Sequence, residues 1–196
     1  TISRRQRQMC IRDSTMATPF LCQPIQHGAD IVVHSTTKFL SGHGNAMGGA
    51  IVDSGTFDWA QNDKYPSLAQ PEEAYHGLNF YESFGDLAYT TYGHAVGLRD
   101  LGPTMAPMNA YLTIMGIETL ALRMEKHVAN AEVVANYLHN HAKVSWVSYA
   151  GLEESNYFHL AKKYLPKGAG SVFTFGIKGG YDAVSYTHLR AHETYD

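Results

Sequence analysis

Short apolar runs along the chain predict four strands. The runs "ADIVVHS" and "GGAIVD" are rich in β-branched residues and are bounded by glycine or polar residues, so they predict buried strands over 30–35 and 48–53. Two later runs, "KVSWVSYAG" and "GSVFTFGIKGG", predict two more strands. Glycines crowd the connection between the first two strands, which indicates tight turns or close backbone approach there.

Helical periodicity is strongest over 117–141, which contains neither glycine nor proline. Apolar residues recur there at spacings of three and four, as on one face of a long helix. They are Ile117, Leu120, Met124, Val128, Ala131, Ala135 and Leu138. A further helix is predicted from about Ser83 to Leu101, ending at the Gly-Pro pair that follows, and a short one in "NYFHLAKKYL".

Residues 54–80 contain glycine, proline and aromatic residues without periodicity, and they predict a long surface loop. The tyrosines between Tyr65 and Tyr92 are expected to serve packing or a subunit interface. Strands that alternate with helices predict an α/β fold. We assign 15–142 to part of a large domain and 143–183 to the start of a smaller α+β domain.

The two ends of the chain, 1–14 and 184–196, show neither strand alternation nor a helical stripe. The strings "TISRRQRQMCIRDS" and "VSYTHLRAHET" resemble translated sequencing-adapter sequence, so we predict that both ends are non-native and flank a fragment of a longer protein. The alternative is a basic N-terminal arm and a polar C-terminal tail. If the ends are non-native, we expect them to pack poorly against the core.

Composition restricts the classes of function. Apolar residues make up 44% of the chain and charged residues 17%, as in globular proteins. The net charge of −3 gives no electrostatic basis for binding nucleic acid or an anionic membrane, and no apolar run is long enough to span a bilayer. Cys10 and Cys22 lack metal or redox spacing, which favours the reducing cytoplasm. His34 and His43 lack a carboxylate or thiolate partner, so no metal site is predicted.

The segment "HSTTKFLSGHG" places Lys38 among hydroxyls and glycines directly after a predicted strand. A lysine amine forms Schiff bases with carbonyl compounds when its pKa is lowered. A pyridoxal phosphate (PLP) site needs that amine, donors for the phosphate and a carboxylate for the pyridine nitrogen. Ser35 and Thr37 can supply hydroxyl donors. On these residues alone, a solvated lysine at the end of a strand remains the alternative.

A wider set of segments resembles the PLP-dependent enzymes of cysteine and methionine metabolism. The segments are "TPFLCQPIQHGADIVVHSTTKFLSGHGNAMGGAIVDSG", "PEEAYHGLNFYESFGDLAY", "LRDLGPTMAPMNAYLTIMGIETLALRMEKH" and "YFHLAKKYLPKGAGSVFTFGIKGG". The insertion that ends in Tyr75-His76-Gly77 and the last of these segments are most similar to the O-acetylhomoserine sulfhydrylase branch. The resemblance covers about residues 15–183.

The resemblance implies a type I PLP-dependent transferase fold, like that of aspartate aminotransferase, with 15–142 as part of the PLP-binding large domain. Lys38 is the implied catalytic residue, which holds PLP as a Schiff base. Ser35 and Thr37 match positions that contact the phosphate of PLP. Asp13 matches the carboxylate that pairs with the pyridine nitrogen, although it lies in the adapter-like string and Ser14 replaces the usual asparagine.

The implied reaction is γ-replacement in methionine and cysteine biosynthesis, in which sulfide or a thiol replaces the acetate of O-acetylhomoserine and gives homocysteine. The resemblance also implies a cytoplasmic homo-oligomer, either a dimer or a tetramer. The family's phosphate loop, ring-stacking tyrosine and carboxylate-binding arginine fall outside 15–183. We therefore expect this chain alone to bind PLP weakly and to be inactive.

Other functions remain open at this point. Cystathionine γ-synthase, methionine γ-lyase and O-acetylserine sulfhydrylase use the same lysine segment within the family. A different class of protein, a non-catalytic α/β binding module with an incidental lysine, is the alternative outside the family.

Overall fold

A computed structural model describes residues 9–179. The strands are β1 (Ile11–Asp13), β2 (Ile31–Ser35), β3 (Gly49–Asp53), β4 (Val144–Ser148) and β5 (Thr174–Ile177). The α-helices are α1 (Thr18–Leu21), α2 (Pro66–Ala69), α3 (Phe80–Phe84), α4 (Ala88–Tyr92), α5 (Pro107–Glu118), α6 (Leu120–His139) and α7 (Phe158–Tyr164). This mixture of helices and strands confirms the predicted α/β class.

The chain divides into two compact units. The first contains the residues up to Thr18 and Gln23–Glu118, and the second contains Pro19–Cys22 and the residues from Thr119 onward. The boundary predicted at residue 142 therefore falls inside the second unit. As a boundary between domains of a longer enzyme, it stays a prediction.

The first unit contains a three-stranded sheet in the order β1-β2-β3. β2 is parallel to β1 and antiparallel to β3, which confirms the strands predicted over 30–35 and 48–53. β2 is buried as expected, but β3 is not, since the side chains of Ile51 and Val52 are 58% and 44% exposed. The reason is that β3 forms an edge of this sheet among the described residues.

β1 lies within the N-terminal segment that we predict to be non-native. Its three residues pair in register with Ile31, Val32 and Val33 of β2, and their own side chains are exposed. Ser14, which follows β1, is buried, and its amide donates to the Val33 carbonyl at 2.9 Å. The rest of the predicted non-native ends, 1–8 and 184–196, lies outside the described residues. Their non-native origin stays a prediction.

The surface loop predicted over 54–80 is wrong. This segment contributes much of the hydrophobic core of the first unit, which consists of Ile31, Phe57, Trp59, Leu68, Phe80 and Ala88. The tyrosines at 65, 75, 81, 89 and 92 pack around that core, as the packing interpretation expects. The segment lacks periodicity because α2 and a 3₁₀ turn over Glu73–Tyr75 are too short to repeat a pattern.

The single helix predicted from Ser83 to Leu101 is also wrong. Gly85 adopts a positive φ of 53° after α3, and a 3₁₀ turn over Gly85–Leu87 separates α3 from α4. α4 continues into a π-helix over Gly93–Asp100. The predicted end is confirmed, because Gly102 has a φ of 84° and the helical hydrogen bonding ends there.

The second unit follows the prediction more closely. Helix α6 buries Leu120, Met124, Val128, Ala131 and Ala135, which lie on the predicted apolar face. The helix begins later than predicted, because Ile117 belongs to α5. β4 and β5 form an antiparallel pair, and α7 lies between them in the sequence. Among residues 9–179, no helix combines the length and the apolar character that crossing a bilayer requires.

Candidate PLP-binding site

The carboxyl ends of two parallel strands bring the predicted site residues to one edge of the sheet. Asp13 is the last residue of β1 and pairs with Val33 of β2. Ser35 ends β2, and Lys38 lies in the turn that follows directly. In α/β proteins, ligands bind beyond the carboxyl ends of parallel strands. The topology therefore places a carboxylate, a hydroxyl and an amine where such a ligand would bind.

The turn around Lys38 is closed by its own backbone hydrogen bonds. The Ser41 amide donates to the Thr36 carbonyl at 2.9 Å, and the Gly42 amide donates to the Lys38 carbonyl at 2.8 Å. Ser41 and Thr36 are buried, whereas Lys38 is exposed. A fixed turn therefore presents the lysine amine to solvent, where a carbonyl compound can reach it.

The hydroxyl of Thr37 is engaged by the backbone at the other end of the loop. It accepts a hydrogen bond from the Gly48 amide at 3.1 Å and lies 3.4 Å from the Gly48 carbonyl, to which it can donate. This arrangement ties the start of the turn to the residue that precedes β3. In this structure Thr37 therefore holds the loop, and its contact with the phosphate of PLP stays a prediction.

Two neighbouring threonines complete the arrangement, and sequence reasoning missed both. The Thr15 hydroxyl accepts a hydrogen bond from the Ser35 amide at 2.8 Å, which ties the segment after β1 to the end of β2. The Thr36 hydroxyl is buried and has no hydrogen-bond partner among the described residues. For Thr36, the run of hydroxyl residues before Lys38 indicates polar contacts, but it does not show which of the side chains is buried.

The carboxylate of Asp13 is in the charge state that a protonated pyridine nitrogen requires. Its Oδ1 accepts a hydrogen bond from the Thr15 amide at 2.9 Å. Hydrogen bonding from Thr15 lowers the pKa of Asp13, and the nearby His34 lowers it further. The group is therefore ionised at neutral pH, so the residues present fit the chemistry of PLP at this position.

His34 is buried beside this carboxylate. Burial lowers the pKa of the imidazole, while Ser14 and Asp13 act in the opposite direction, and its Nδ1 has no hydrogen-bond partner among the described residues. A neutral imidazole is expected at neutral pH. Within residues 9–179, no group of three or more His, Cys, Asp or Glu residues is arranged to hold a metal ion.

Comparison with known proteins decides the family. A model of the Cys/Met metabolism PLP-dependent enzymes matches residues 1–192. The chain belongs to this family. The matched range includes all of 1–14 and the part 184–192 of the other end that we predict to be non-native. It also includes Lys38 and the other residues gathered at the sheet edge.

Curated members of the family with similar sequences carry related names. The chain is 52% identical over 164 residues to a homocysteine synthase from Schizosaccharomyces pombe, covering 83% of this chain and 38% of the relative. It is 46% identical over 179 residues to an O-acetyl-L-homoserine sulfhydrylase from Leptospira meyeri, covering 87% and 40%. The chain therefore spans about two-fifths of the length of these relatives.

Solved structures of the family confirm the predicted type I fold. A protein assigned as an O-acetylhomoserine (thiol)-lyase, from Campylobacter jejuni, has a TM-score of 0.83 and 40% identity, covering 93% of this chain and 44% of its own. That structure contains a pyridoxyl-lysine monophosphate. A cystathionine γ-synthase from Xanthomonas oryzae has a TM-score of 0.66 and 30% identity, covering 90% and 37%. The thiol-lyase is thus the more similar of the two.

Proposed function

We propose that this chain is part of a PLP-dependent enzyme that replaces the acetate of O-acetylhomoserine with sulfide or a thiol and produces homocysteine. The observation that carries the proposal is the parallel pairing of β1 with β2, which brings an ionised Asp13 to the sheet edge where Lys38 follows β2. Relatives named homocysteine synthase and O-acetyl-L-homoserine sulfhydrylase support the choice of substrate.

The residues at the sheet edge have distinct roles in this proposal. Lys38 would hold PLP through Nζ, and Asp13 would accept a hydrogen bond from the pyridine nitrogen of the cofactor. Ser35 would donate to the phosphate, and Thr37 would do so if its O–H gave up the 3.4 Å contact with the Gly48 carbonyl, while its oxygen still accepted from the Gly48 amide. When bound, PLP stabilises the electron pair left on the substrate after a proton is removed.

Lys38 is also the proton carrier in the proposed reaction. Its Nζ would accept the substrate's α-proton, which requires a neutral amine. The closed turn over Thr36–Ser41 keeps the backbone of Lys38 fixed while the long side chain moves. The chain therefore combines a rigid attachment with a mobile base, as repeated proton transfer demands.

Among the alternatives, cystathionine γ-synthase is less favoured because the structure from Xanthomonas oryzae is less similar in both fold and sequence. Two relatives, each 49% identical to this chain, are named homocysteine/cysteine synthase, which supports O-acetylserine sulfhydrylase as a second candidate activity; neither name supports a methionine γ-lyase. A non-catalytic binding module is disfavoured, because the chain belongs to a family of enzymes.

We propose further that the parent enzyme is a cytoplasmic homo-oligomer, a dimer or a tetramer.

Substitution of Lys38 tests the proposal in the full-length parent. Lys38→Ala is expected to abolish both homocysteine production and the attachment of PLP that borohydride makes permanent, because no other amine occupies this position. Lys64→Ala is the matched control, since Lys64 is also an exposed lysine of the first unit. Full activity of Lys38→Ala would refute the proposal. For the 196-residue chain alone, we expect weak PLP binding and no homocysteine.

A further inference from the structure

Helix α5 approaches the lysine turn so closely that only glycine fits at the contact. Gly116 of α5 is buried, and a Cβ built on it would lie 2.7 Å from the carbonyl carbon of Ser41 and 2.8 Å from the carbonyl oxygen of Leu40. Cβ atoms do not approach other atoms this closely, and the neighbouring atoms here are backbone rather than the end of a flexible side chain. Any side chain at this position must therefore push the turn and the helix apart.

A hydrogen bond fixes the other end of the same loop to the same helix. The Asn109 side-chain amide donates to the Met47 carbonyl at 2.9 Å. Asn109 and Gly116 lie about two helical turns apart, with Thr113 on the same face between them. Thr113 is 5% exposed, whereas Met108, Tyr111, Ile114 and Met115 are at least 48% exposed. The buried face of α5 is thus its small and polar face.

Displacement of the turn at Ser41 must reach Lys38. The Ser41 amide bonds to the Thr36 carbonyl, so the backbone held by Gly116 closes the same turn that contains Lys38. Gly48 constrains the loop in a similar way, since a Cβ built there would lie 2.7 Å from the Thr36 hydroxyl. The position of the amine therefore depends on how closely α5 and the turn approach.

We propose that α5 positions the amine of Lys38, with Gly116 and Asn109 as its positioning residues. This inference rests on the proposed function of Lys38. Neither residue is expected to contact PLP or substrate. Each acts through the backbone of the loop, and a small displacement of a reacting group can lower a rate by as much as about a hundredfold.

The test measures how fast PLP attaches to Lys38 in the full-length parent. After the cofactor is removed, PLP is added, the reaction is stopped with borohydride at successive times, and the pyridoxyl group is quantified at Lys38 and at exposed Lys64 by peptide mapping. Gly116→Ala is expected to slow attachment at Lys38 about tenfold or more, without changing the rate at Lys64. The turnover number should fall more than the KM for O-acetylhomoserine changes.

Gly97→Ala is the matched control. Gly97 lies in the π-helix of the same unit, and apart from its own chain neighbours and nearby helical backbone, no atom of the described residues would lie within 4 Å of a Cβ built there. Attachment at Lys38 is expected to keep its wild-type rate in this variant. Because Gly116→Ala could prevent folding, Asn109→Ala provides a milder variant that removes one hydrogen bond, and it should slow attachment about threefold.

The outcomes separate the two proposals. If PLP does not attach preferentially to Lys38 in the wild type, the proposed function is overturned, and this inference fails with it. If the wild type attaches PLP at Lys38 and both Gly116→Ala and Asn109→Ala do so at the wild-type rate, the function stands and the positioning role is overturned. An equal loss in Gly97→Ala would also overturn it, because the effect would not depend on contact with the turn.

Discussion

The aromatic cluster and the lysine turn belong to the same unit but are held by different interactions. In the aromatic cluster, Phe57, Trp59 and Phe80 are each at most 4% exposed. Phe57 and Trp59 meet edge to face at 4.8 Å between ring centroids, and Trp59 stacks on Tyr89 at 5.3 Å. Burial of large apolar surfaces is the main source of stability in such a cluster.

The lysine turn depends on backbone hydrogen bonds, hydroxyl contacts and the close approach of glycine instead. Leu40 is the buried apolar residue of the turn, and it is not aromatic. Thr37 binds the backbone of Gly48, and Gly116 lies against the carbonyl groups at the end of the turn. These interactions specify position more than they add stability, because a net hydrogen bond contributes only about 1 kcal/mol.

This difference suggests that one region of the first unit supplies stability and the other positions Lys38. The aromatic cluster stabilises the sheet through Ile31 of β2, and the turn that follows β2 holds a reactive side chain in an exposed position. Substitutions in the cluster should therefore change stability, while substitutions in the turn should change the chemistry of Lys38 at a smaller cost in stability.

The largest expected effect is that of Phe80→Ala. The Phe80 side chain is 1% exposed and contacts the rings of Tyr75, Phe84 and Tyr92. Its removal leaves a cavity that should cost about 3–5 kcal/mol in the free energy of unfolding. Urea denaturation followed by tryptophan fluorescence measures the change. Phe84→Ala is the control, because Phe84 is 39% exposed, and equal losses would contradict the account of the cluster.

The same comparison shows what the sequence can predict. β2 and Lys38 are predictable because a β-branched run and the lysine motif that follows it are each local signals. The aromatic cluster is not predictable in this way. Phe57 and Phe80 are buried by partners that are distant in the sequence, and the segment shows no helical or strand period. A segment without periodicity can therefore be core, and aromatic content was the signal that should have outweighed the missing pattern.

Helix α5 and the inward threonine at 36 were missed for a related reason. The apolar residues of α5 lie on its exposed side, so the sequence lacks the usual buried stripe. Within "HSTTK", adjacent threonines are chemically identical, and only the fold decides that Thr36 is buried while Thr37 binds Gly48. Asp13 was placed by register with the family motif, and its role stays a prediction; the parallel pairing with β2 sets it at the sheet edge where Ser35 ends β2.

A smaller effect is expected from Thr37→Val, which probes the turn. Valine keeps the shape of the side chain but leaves the Gly48 amide without the hydroxyl that it contacts at 3.1 Å. The expected loss is about 1–2 kcal/mol in the free energy of unfolding. Thr104→Val serves as the control, because Thr104 is exposed. A loss as large as that of Phe80→Ala would mean that the turn, rather than the cluster, stabilises the unit.

The smallest effect concerns the pH dependence that His34 gives to the first unit. Burial lowers the pKa of its imidazole below the ordinary value of 6.5, while Ser14 and Asp13 offset part of this shift. As the pH falls below about 6.5, the unfolded chain takes up a proton before the folded chain does, so the free energy of unfolding decreases. The stability is fully present above that pH and is lost as the pH falls through the lower pKa of the folded state.

His34→Gln should remove this loss, because glutamine does not titrate, while His43→Gln should retain it, because His43 is exposed. Urea denaturation at a series of pH values between about 7.5 and 5.5 measures the difference, and each unit of pKa separation corresponds to about 1.4 kcal/mol. Tyr75 and Tyr81 of the aromatic cluster do not titrate in this range, because the hydrogen bond to Asp100 raises the pKa of Tyr75 and burial raises the pKa of Tyr81. In this pH range, acid should therefore lower the free energy of unfolding by protonating His34, which lies at the sheet edge beside the lysine turn. If the wild type and His34→Gln lose stability in parallel, the pH dependence arises elsewhere.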